Sequence, residues 1–195
     1  MNEPQVLPLH FTGPLSFAPG DRSLFHSPLR DAACVYLWAF RSERDGRYHI
    51  HYVGEATSFA RRHREHLVQI LGLNYGIVDV NDARRGVETW VWSGLWRDKS
   101  PDGPSRALEQ YVRSSAAVLE YVRAVSVFVA PMAGTPGLRK HVEGSIAWHL
   151  RTKHKDVCVL YPADNRTGRS ATGMRVRLEV SADVPIAGLD AVLDV

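Results

Sequence analysis

Alternating hydrophobic and polar positions predict one β-hairpin in the first third of the chain. Residues 34–40 form a short run rich in β-branched and aromatic side chains, and residues 47–53 alternate in the same way. Between them, Asp45 and Gly46 form a dipeptide that favours a type I′ turn. Gly54 ends the second strand, and Thr57 or Ser58 is a suitable N-cap for a helix that runs to about residue 71.

Helical periodicity dominates the second half of the chain. The spacing of apolar residues predicts a helix over 106–123, and the residues of its stripe are Leu108, Tyr111, Val112, Ser115, Val118, Leu119 and Val122. A buried strand over 125–131 follows, then a helix over 138–153 and a strand near 174–180.

Two segments lack such a pattern. Residues 1–32 are rich in Pro and Gly and predict a mostly irregular N-terminal arm. Residues 72–104 contain a strand-like run near 87–92 among turn residues, which indicates an insertion of uncertain shape. We therefore expect an α/β (α+β) fold with a small mixed or antiparallel three-stranded sheet flanked by helices. Its core is assigned to residues 33–71 and 105–180, and a C-terminal tail to residues 181–195.

Composition adds few constraints beyond a folded domain. The 195 residues are 45% hydrophobic and 23% charged, which excludes a disordered or collagen-like chain. The two cysteines, Cys34 and Cys158, are too few for a disulfide framework or a four-ligand zinc site, and we expect both to be reduced, buried and inert. The longest apolar runs are far shorter than the ~20 residues of a membrane span. The N-terminus lacks the basic start and apolar core of a signal peptide, so a cytoplasmic location is expected.

Positive charge is concentrated in two segments, although the net charge is only +3. Residues 139–177 hold nine lysines and arginines against three acids, and residues 58–66 hold three arginines against one glutamate. Such segregation favours an anionic partner such as a nucleic-acid backbone, although two solvated helix faces would give the same pattern. The candidate contacts are Arg61, Arg64, Lys140, Arg151, Lys153, Arg166 and Arg169.

Two charged side chains are predicted to face apolar surroundings. On a helical wheel, Arg62 and His66 lie on the same face as Phe59. Glu143 lies in the stripe that Ile146, Ala147 and Leu150 form on the later helix. An inward arginine and an inward carboxylate either pair with each other in a structural salt bridge, or bind a ligand or a cation.

These residues together resemble the GIY-YIG nuclease family. Cys34-Val35-Tyr36 stands where the first tripeptide of that family would be, and Tyr52-Val53-Gly54 where the second would be. Arg62 and His66 follow Tyr52 at the offsets of the family's helix motif. A glutamate on a later helix and an asparagine after it complete the resemblance, and they are Glu143 and Asn165. Cys34 replaces the expected glycine, and 76 residues separate His66 from Glu143, which indicates the insertion.

The resemblance implies a metal-dependent DNA endonuclease that leaves 5′-phosphate and 3′-hydroxyl ends. Tyr36 would act as the base, directly or through Tyr52, and Arg62 would bind the scissile phosphate. Glu143 would hold one Mg²⁺ (or Mn²⁺) ion. His66 would orient Tyr36 or donate to the phosphate, and Asn165 would position backbone or substrate. A restriction-like or defence role, acting as a homodimer, is favoured, and RNA is not excluded as substrate.

Several alternatives stay open. The two tyrosines could be half-buried sheet aromatics, and Asn165 could be a turn residue. His63 and His66 could bind a metal, but no third ligand is obvious. The tryptophans Trp90, Trp92 and Trp96 could stack on bases, although a place in the core is the commoner role of such residues. At the level of function, the alternatives are a non-catalytic nucleic-acid-binding module and a structural or interaction protein.

Overall fold

The computed structural model describes residues 5–157 and 176–194. Within these residues the chain forms a seven-stranded sheet, a separate two-stranded sheet and four helices. The strands are β1 (Gln5–Ser16), β2 (Cys34–Arg41), β3 (Tyr48–Ala56), β4 (Ile77–Val78), β5 (Trp90–Trp92), β6 (Ser126–Pro131), β7 (Val176–Ala182), β8 (Ile186–Ala187) and β9 (Val192–Asp194). The helices are α1 (Phe59–Leu71), α2 (Val80–Arg84), α3 (Gly103–Ala124) and α4 (Pro136–Lys153). Cys158, Asn165, Arg166 and Arg169 lie outside the described residues.

The mixed α/β class is confirmed, but the main sheet is larger than the predicted three strands. Its order is β8-β3-β2-β6-β1-β7-β9. Three strands that the sequence predicted with clear patterns are neighbours: β2 lies between β3 and β6 and pairs antiparallel with each. Among the additional strands, β7 corresponds to the strand predicted near 174–180, whereas β1, β8 and β9 come from segments that were predicted to be an irregular arm and a tail.

The prediction of a mostly irregular N-terminal arm is wrong for residues 5–16. Strand β1 pairs in parallel with β7 over Gln5 to Phe11 and antiparallel with β6 over Thr12 to Ser16. Its inward side chains, Leu9 and Phe11, are fully buried. Pro8 has no backbone N–H to donate to a neighbouring strand. It is tolerated because this part of β1 pairs with β7, and the pairing with β6 begins at Thr12.

The C-terminal tail also belongs to the sheet. Strand β7 extends to Ala182, β8 pairs with β3, and β9 pairs with β7. Strands of two or three residues are too short to show a period of two, so the sequence pattern could not reveal them.

The central strand β2 is buried on both faces and divides the interior into two cores. Tyr36, Trp38 and Phe40 face the core beneath α1 and α3. Val35 and Leu37 face the other core, which is covered by α4. The predicted insertion contributes to the first of these cores through Leu73, Ile77, Val78, Val80 and Ala83. It is therefore part of the packed domain and not a peripheral addition.

Helix α3 buries a different face from the predicted one. Val118 and Tyr121 are buried, but Leu108 and Val112 expose 73% and 79% of their surface, and Tyr111 and Leu119 are also exposed. The periodicity correctly predicted the helix. Its apolar residues, however, extend further around the helix than the surface that it buries against the rest of the domain. Among the helices of residues 5–157 and 176–194, none is both long and apolar enough to cross a membrane.

The sheet must curl, because a short connection joins its two outermost strands. Strands β8 and β9 lie at opposite ends of the strand order. In a flat sheet, six spacings of about 4.8 Å would separate them by about 29 Å. The five residue steps from Ala187 to Val192 reach at most about 18 Å. The sheet therefore wraps around one core, with α4 on its concave side.

A β-bulge and a glycine place two tyrosines on one face of the sheet. The register of β2 against β3 shifts between Trp38 and Ala39, so that Tyr52 pairs with Trp38 while Ile50 pairs with Ala39. Tyr52 therefore lies on the face of Trp38 and Tyr36, whereas Ile50, beyond the bulge, faces the other core. Gly54 pairs with Tyr36, and a Cβ atom at Gly54 would lie 2.3 Å from both Cζ and the hydroxyl of Tyr36. Only glycine leaves room for the phenol here.

We expect Gly54→Ala to lower the free energy of unfolding by about 1–3 kcal/mol, the usual range for overpacking a well-packed core. The matched control is Gly137→Ala in the first turn of α4, where the nearest atom to a new Cβ is 3.7 Å away and alanine should have little effect. Urea unfolding of the two variants checks this. Equal stability of both variants would contradict the close contact with Tyr36.

Candidate active site

A cavity of about 270 Å³ lies at the edge of the sheet beside strand β3. Among residues 5–157 and 176–194, β8 pairs with this edge at Tyr48 and His49 alone, and two helices that pack on opposite faces reach the rest of it. Helix α1 contributes Arg62 and α4 contributes Glu143. The cavity is lined by Tyr52, Glu55, Ala56, Thr57, Ser58, Arg61, Arg62, Glu65 and Glu143.

Three of the six predicted catalytic residues line this cavity: Tyr52, Arg62 and Glu143. Tyr36 is fully buried behind Tyr52, with their ring centroids 6.0 Å apart. His66 is buried directly behind Tyr36. The structure thus brings together five residues that are up to 107 positions apart in the chain. Asn165 lies outside the described residues.

His66 joins two tyrosine hydroxyls. Its Nε2 is 2.7 Å from the hydroxyl of Tyr36, and its Nδ1 is 3.0 Å from the hydroxyl of Tyr75. Burial and the nearby Arg62 lower the pKa of His66 to about 2, so the ring is neutral. A neutral imidazole has one donor and one acceptor, so one hydroxyl donates to the ring and the other accepts from it. This geometry suits a residue that orients Tyr36, and leaves no ring nitrogen for a phosphate.

His63 is held equally firmly one turn earlier. The indole N–H of Trp38 donates to Nε2 of His63 over 3.1 Å, and Nδ1–H of His63 donates to the carbonyl of Phe59 over 2.8 Å. Burial lowers the pKa of His63 to about 4. All ring nitrogens of His63 and His66 are therefore occupied, which argues against the alternative of a two-histidine metal site.

Arg62 lies at the rim of the cavity instead of the interior that the helical wheel suggested. Its side chain is 40% exposed, and one guanidinium nitrogen donates to Glu65 over 3.0 Å. A long side chain can keep its stem against the core while its charged end reaches water. The guanidinium is thus held near the phenols but is accessible to a ligand.

Arg62 opposes the effect of burial on both phenols. Burial raises the pKa of Tyr36 well above its ordinary value, Tyr52 raises it further, and Arg62 lowers it. Burial also raises the pKa of Tyr52, with Glu143 adding to the rise and Arg62 again lowering it. The net result is that both phenols are protonated at neutral pH.

Sequence reasoning missed a buried ion pair beside the cavity. Nε of Arg139 donates to Glu55 over 3.2 Å, and the same guanidinium donates to the carbonyl of Gly134 over 2.8 Å. Arg139 is only 2% exposed, so its charge is directed to Glu55 and not to a phosphate. This pair connects α4 to the end of β3. Glu55 directly follows the Tyr-Val-Gly motif, but nothing in the pattern indicated its partner.

The sequence also did not predict Tyr75 as a partner of His66, because Tyr75 lies in the segment that was predicted to be an insertion. Its hydroxyl completes the hydrogen bonds of His66, and its ring meets Trp96 at a centroid distance of 4.9 Å. A tyrosine nine residues after His66 carries no recognisable signal in the sequence.

The predicted basic contacts are divided between two places. Arg61 lines the cavity, Arg64 is exposed on α1, and Lys140 is exposed one turn before Glu143. Arg151 and Lys153 lie in the last turn of α4, eight or more residues beyond Glu143 and therefore at least about 12 Å further along the helix. Arg166 and Arg169 lie outside the described residues.

The carboxylates of the cavity fit the divalent cation that the family resemblance implies. Glu143, Glu55 and Glu65 all line it, and carboxylate oxygens are ligands that Mg²⁺ and Mn²⁺ favour. Glu55 is paired with Arg139 and Glu65 with Arg62, and Glu143, the metal ligand that the resemblance implies, lines the cavity beside them.

A second cavity of about 390 Å³ adjoins the first and shares Tyr52 and Arg62 with it. Its walls are aromatic: Trp90, Trp96 and Tyr75 line it. Trp96 is 58% exposed. The guanidinium of Arg97 lies 4.9 Å from the ring of Trp90. Trp92 donates its indole N–H to the carbonyl of Leu73, and both Trp90 and Trp92 pack against the core. A place in the core is thus confirmed for these two tryptophans, whereas stacking on bases stays a prediction.

No family model, curated protein or solved structure matches this chain.

We expect the stability of the protein to fall as the pH drops from about 6.5 to 5. Folding lowers the pKa of His63 and of His66, so below about 6.5 the unfolded chain binds protons that the folded protein does not. Each histidine then lowers the free energy of unfolding by up to about 1.4 kcal/mol per pH unit. Urea unfolding at several pH values measures the slope. His66→Gln should reduce it, whereas His26→Gln, which changes an exposed ring, should not. An unchanged slope in His66→Gln would contradict a neutral, buried imidazole.

Proposed function

We propose that this protein is a metal-dependent endonuclease that hydrolyses phosphodiester bonds in DNA, with the cavity beside β3 as its active site. The observation that carries the proposal is the meeting of Tyr52, Arg62 and Glu143 around one cavity, although they come from a strand and from helices on opposite faces of the sheet. A structural salt bridge would need two of these groups. A base, a phosphate clamp and a cation ligand need all three.

Each residue has a role that follows from its surroundings. Arg62 binds the scissile phosphate with its planar set of N–H donors. Tyr52 faces the cavity and takes the base role toward the attacking water. Tyr36 is buried behind it and acts through Tyr52, held in place by His66. The positive charge of Arg62 favours the ionised phenols and so assists this transfer.

Glu143 is the residue that would hold Mg²⁺ or Mn²⁺. Such an ion, when bound, neutralises charge on the phosphate and assists departure of the 3′ oxygen. Arg139 supports the same wall by holding the carboxylate of Glu55. Cleavage in this manner leaves a 5′-phosphate and a 3′-hydroxyl.

The aromatic cavity gives the proposed substrate a second point of attachment. Because Arg62 and Tyr52 border both cavities, a phosphate bound at Arg62 brings the adjacent base within reach of Trp90 and Trp96. Stacking on an aromatic ring contributes about 1–3 kcal/mol per base. An unpaired or displaced base fits this arrangement better than a base inside a duplex.

The alternative function is a nucleic-acid-binding module without catalysis. It is favoured by the protonated state of both phenols and would use the same basic and aromatic surfaces. A restriction-like or defence role in the cytoplasm, with DNA as substrate and RNA not excluded, is part of the main proposal.

Plasmid cleavage distinguishes the two functions. We expect the wild-type protein to cut supercoiled plasmid in Mg²⁺ or Mn²⁺ and not in EDTA. Glu143→Gln and Arg62→Ala should each lower the rate by about 10²–10³-fold, as loss of a group that stabilises transition-state charge does. Agarose gels quantify the products, and end-labelled duplex, single-stranded DNA and RNA identify the substrate.

The controls separate catalysis from folding and binding. Glu120→Gln and Arg113→Ala change exposed residues of α3 and should leave the rate unchanged. Because Arg62 is half-exposed, Arg62→Ala should cost under about 1 kcal/mol of stability, whereas a buried structural pair would cost about 3–5 kcal/mol. Retained gel retardation without cleavage by the wild type would support the binding module instead.

The proposed homodimer has a candidate interface on α3. The exposed stripe consists of Leu108, Tyr111, Val112 and Leu119 on one face of the helix. A second copy packed antiparallel on this face would cover the stripe. We expect the wild type to elute as a dimer in light-scattering chromatography and Val112→Lys as a monomer. A monomeric wild type at high protein concentration would contradict this interface.

A further inference from the structure

The C-terminal end of α4 carries a cluster of side chains that the proposed nuclease does not use. His149 lies in the last turns of α4, His154 is the residue at which the helix ends, and Asp190 lies in the connection between β8 and β9. Nε2 of His149 is 3.0 Å from one carboxylate oxygen of Asp190, and Nε2 of His154 is 3.3 Å from the other. The three ligand atoms all lie within 4.8 Å of one another.

The local backbone explains how these residues meet. In a continuous helix, positions five apart point about 140° away from each other. His154 leaves the helical conformation, with φ −128° and ψ 44°, and this returns its ring to within 5.0 Å of that of His149, measured between centroids. The β8–β9 connection passes close to the helix end at Gly188, where a Cβ would lie 3.1 Å from Cβ of His154.

The orientation of the two imidazoles is typical of metal ligands. Both Nε2 atoms are buried from solvent, yet neither makes a hydrogen bond of acceptable geometry, even though each is close to Asp190. Each imidazole faces a different oxygen of Asp190, and each separation, 3.0 or 3.3 Å, is close to the about 3.3 Å between two ligand atoms bound at 2.0–2.1 Å around a tetrahedral ion. A simple ion pair would direct an N–H at an oxygen.

We propose that His149, His154 and Asp190 bind one Zn²⁺ ion. Two imidazole nitrogens and a carboxylate are a donor set that zinc favours, whereas Mg²⁺ favours oxygen ligands. Three protein ligands leave a fourth position for water. The site differs in donor chemistry from the carboxylate cavity at Glu143, and it does not depend on the proposed nuclease activity.

The location assigns the ion a structural role. Asp190 belongs to the short connection that joins the two outermost strands of the curled sheet, and the histidines belong to the helix on its concave side. An ion held between them fastens this connection to α4. Loss of the ion therefore loosens the C-terminal strands and leaves the Tyr36–His66 hydrogen bond in place.

The test uses the full-length chain, freed of metal by dialysis against a chelator and carrying no histidine tag. Isothermal titration with Zn²⁺ should give one equivalent of tight binding, and Co²⁺ should give the visible absorption of a tetrahedral site. Zn²⁺ should also raise the thermal midpoint. We expect Asp190→Asn and His149→Gln each to weaken Zn²⁺ binding by more than the about 10–100-fold that loss of an outer-shell partner costs.

The matched controls are Asp156→Asn and His26→Gln, which alter exposed residues outside the cluster and should bind as the wild type does. Circular dichroism of each metal-free variant establishes that it folds, and His154→Gln replaces any variant that does not. The proposal is overturned by a wild type that shows neither Zn²⁺ binding nor the Co²⁺ spectrum, or by cluster variants that bind as tightly as the controls. Plasmid cleavage in Mg²⁺ is measured separately. Absence of Zn²⁺ binding would therefore overturn the zinc site, and absence of cleavage would bear on the proposed nuclease activity alone.

Discussion

The hydroxyl of Tyr36 has no access to water and must find its hydrogen bond inside the protein, and the arrangement of the candidate site follows from that requirement. An unpaired buried hydroxyl costs about 1–3 kcal/mol. The partner is Nε2 of His66 on α1, which fixes the helix over β2, and Tyr75 then completes the ring from the neighbouring segment. Gly54 provides the space for the phenol. The same hydrogen bond thus positions a strand, a helix and a loop, and it places Arg62, one turn before His66, at the cavity.

The cavity can take residues from both faces of the sheet because it lies at an edge that β8 covers only in part. Within a continuous sheet, Arg62 and Glu143 would be separated by the thickness of the strands. Beside β3 their helices can reach the same space. The buried pair of Arg139 and Glu55 holds α4 to this edge, and so sets how far Glu143 is from the phenols. The geometry of the cavity thus depends on the ion pair that holds α4 to β3, and not only on the residues in the motif.

Where side chains repeat with a clear period, the sequence sufficed to predict the individual helices and strands, although not the seven-stranded sheet that they form. The hairpin of β2 and β3, the helices α1, α3 and α4 and the strand β6 were all predicted to within a few residues. Strand β1 was missed because Pro8, Gly13 and Pro14 interrupt its alternation, and the structure tolerates Pro8 by changing its pairing partner along the strand.

Long-range contacts set the limit on predicting the candidate site. The offsets from Tyr52 correctly placed Arg62 and His66 on one helix, because both distances lie within a single element. The contact of His66 with Tyr75 and the pairing of Glu55 with Arg139 depend on tertiary packing that one sequence does not encode in a visible pattern. The exposed face of α3 shows the same limit, since periodicity identifies an apolar stripe but not what covers it.

The short strands β8 and β9 bear on how the protein avoids aggregation through its sheet edges. A sheet edge presents unpaired backbone groups that a second chain can join. Here nine residues, from Ile186 to Asp194, contribute the outermost strand at both ends of the sheet. Neither strand is longer than three residues, so each offers little backbone for an intruding strand to pair with. One short stretch of chain therefore covers part of both edges, at Tyr48 and His49 of β3 and at residues 177–179 of β7, and its loss would expose both segments to pairing with a second chain.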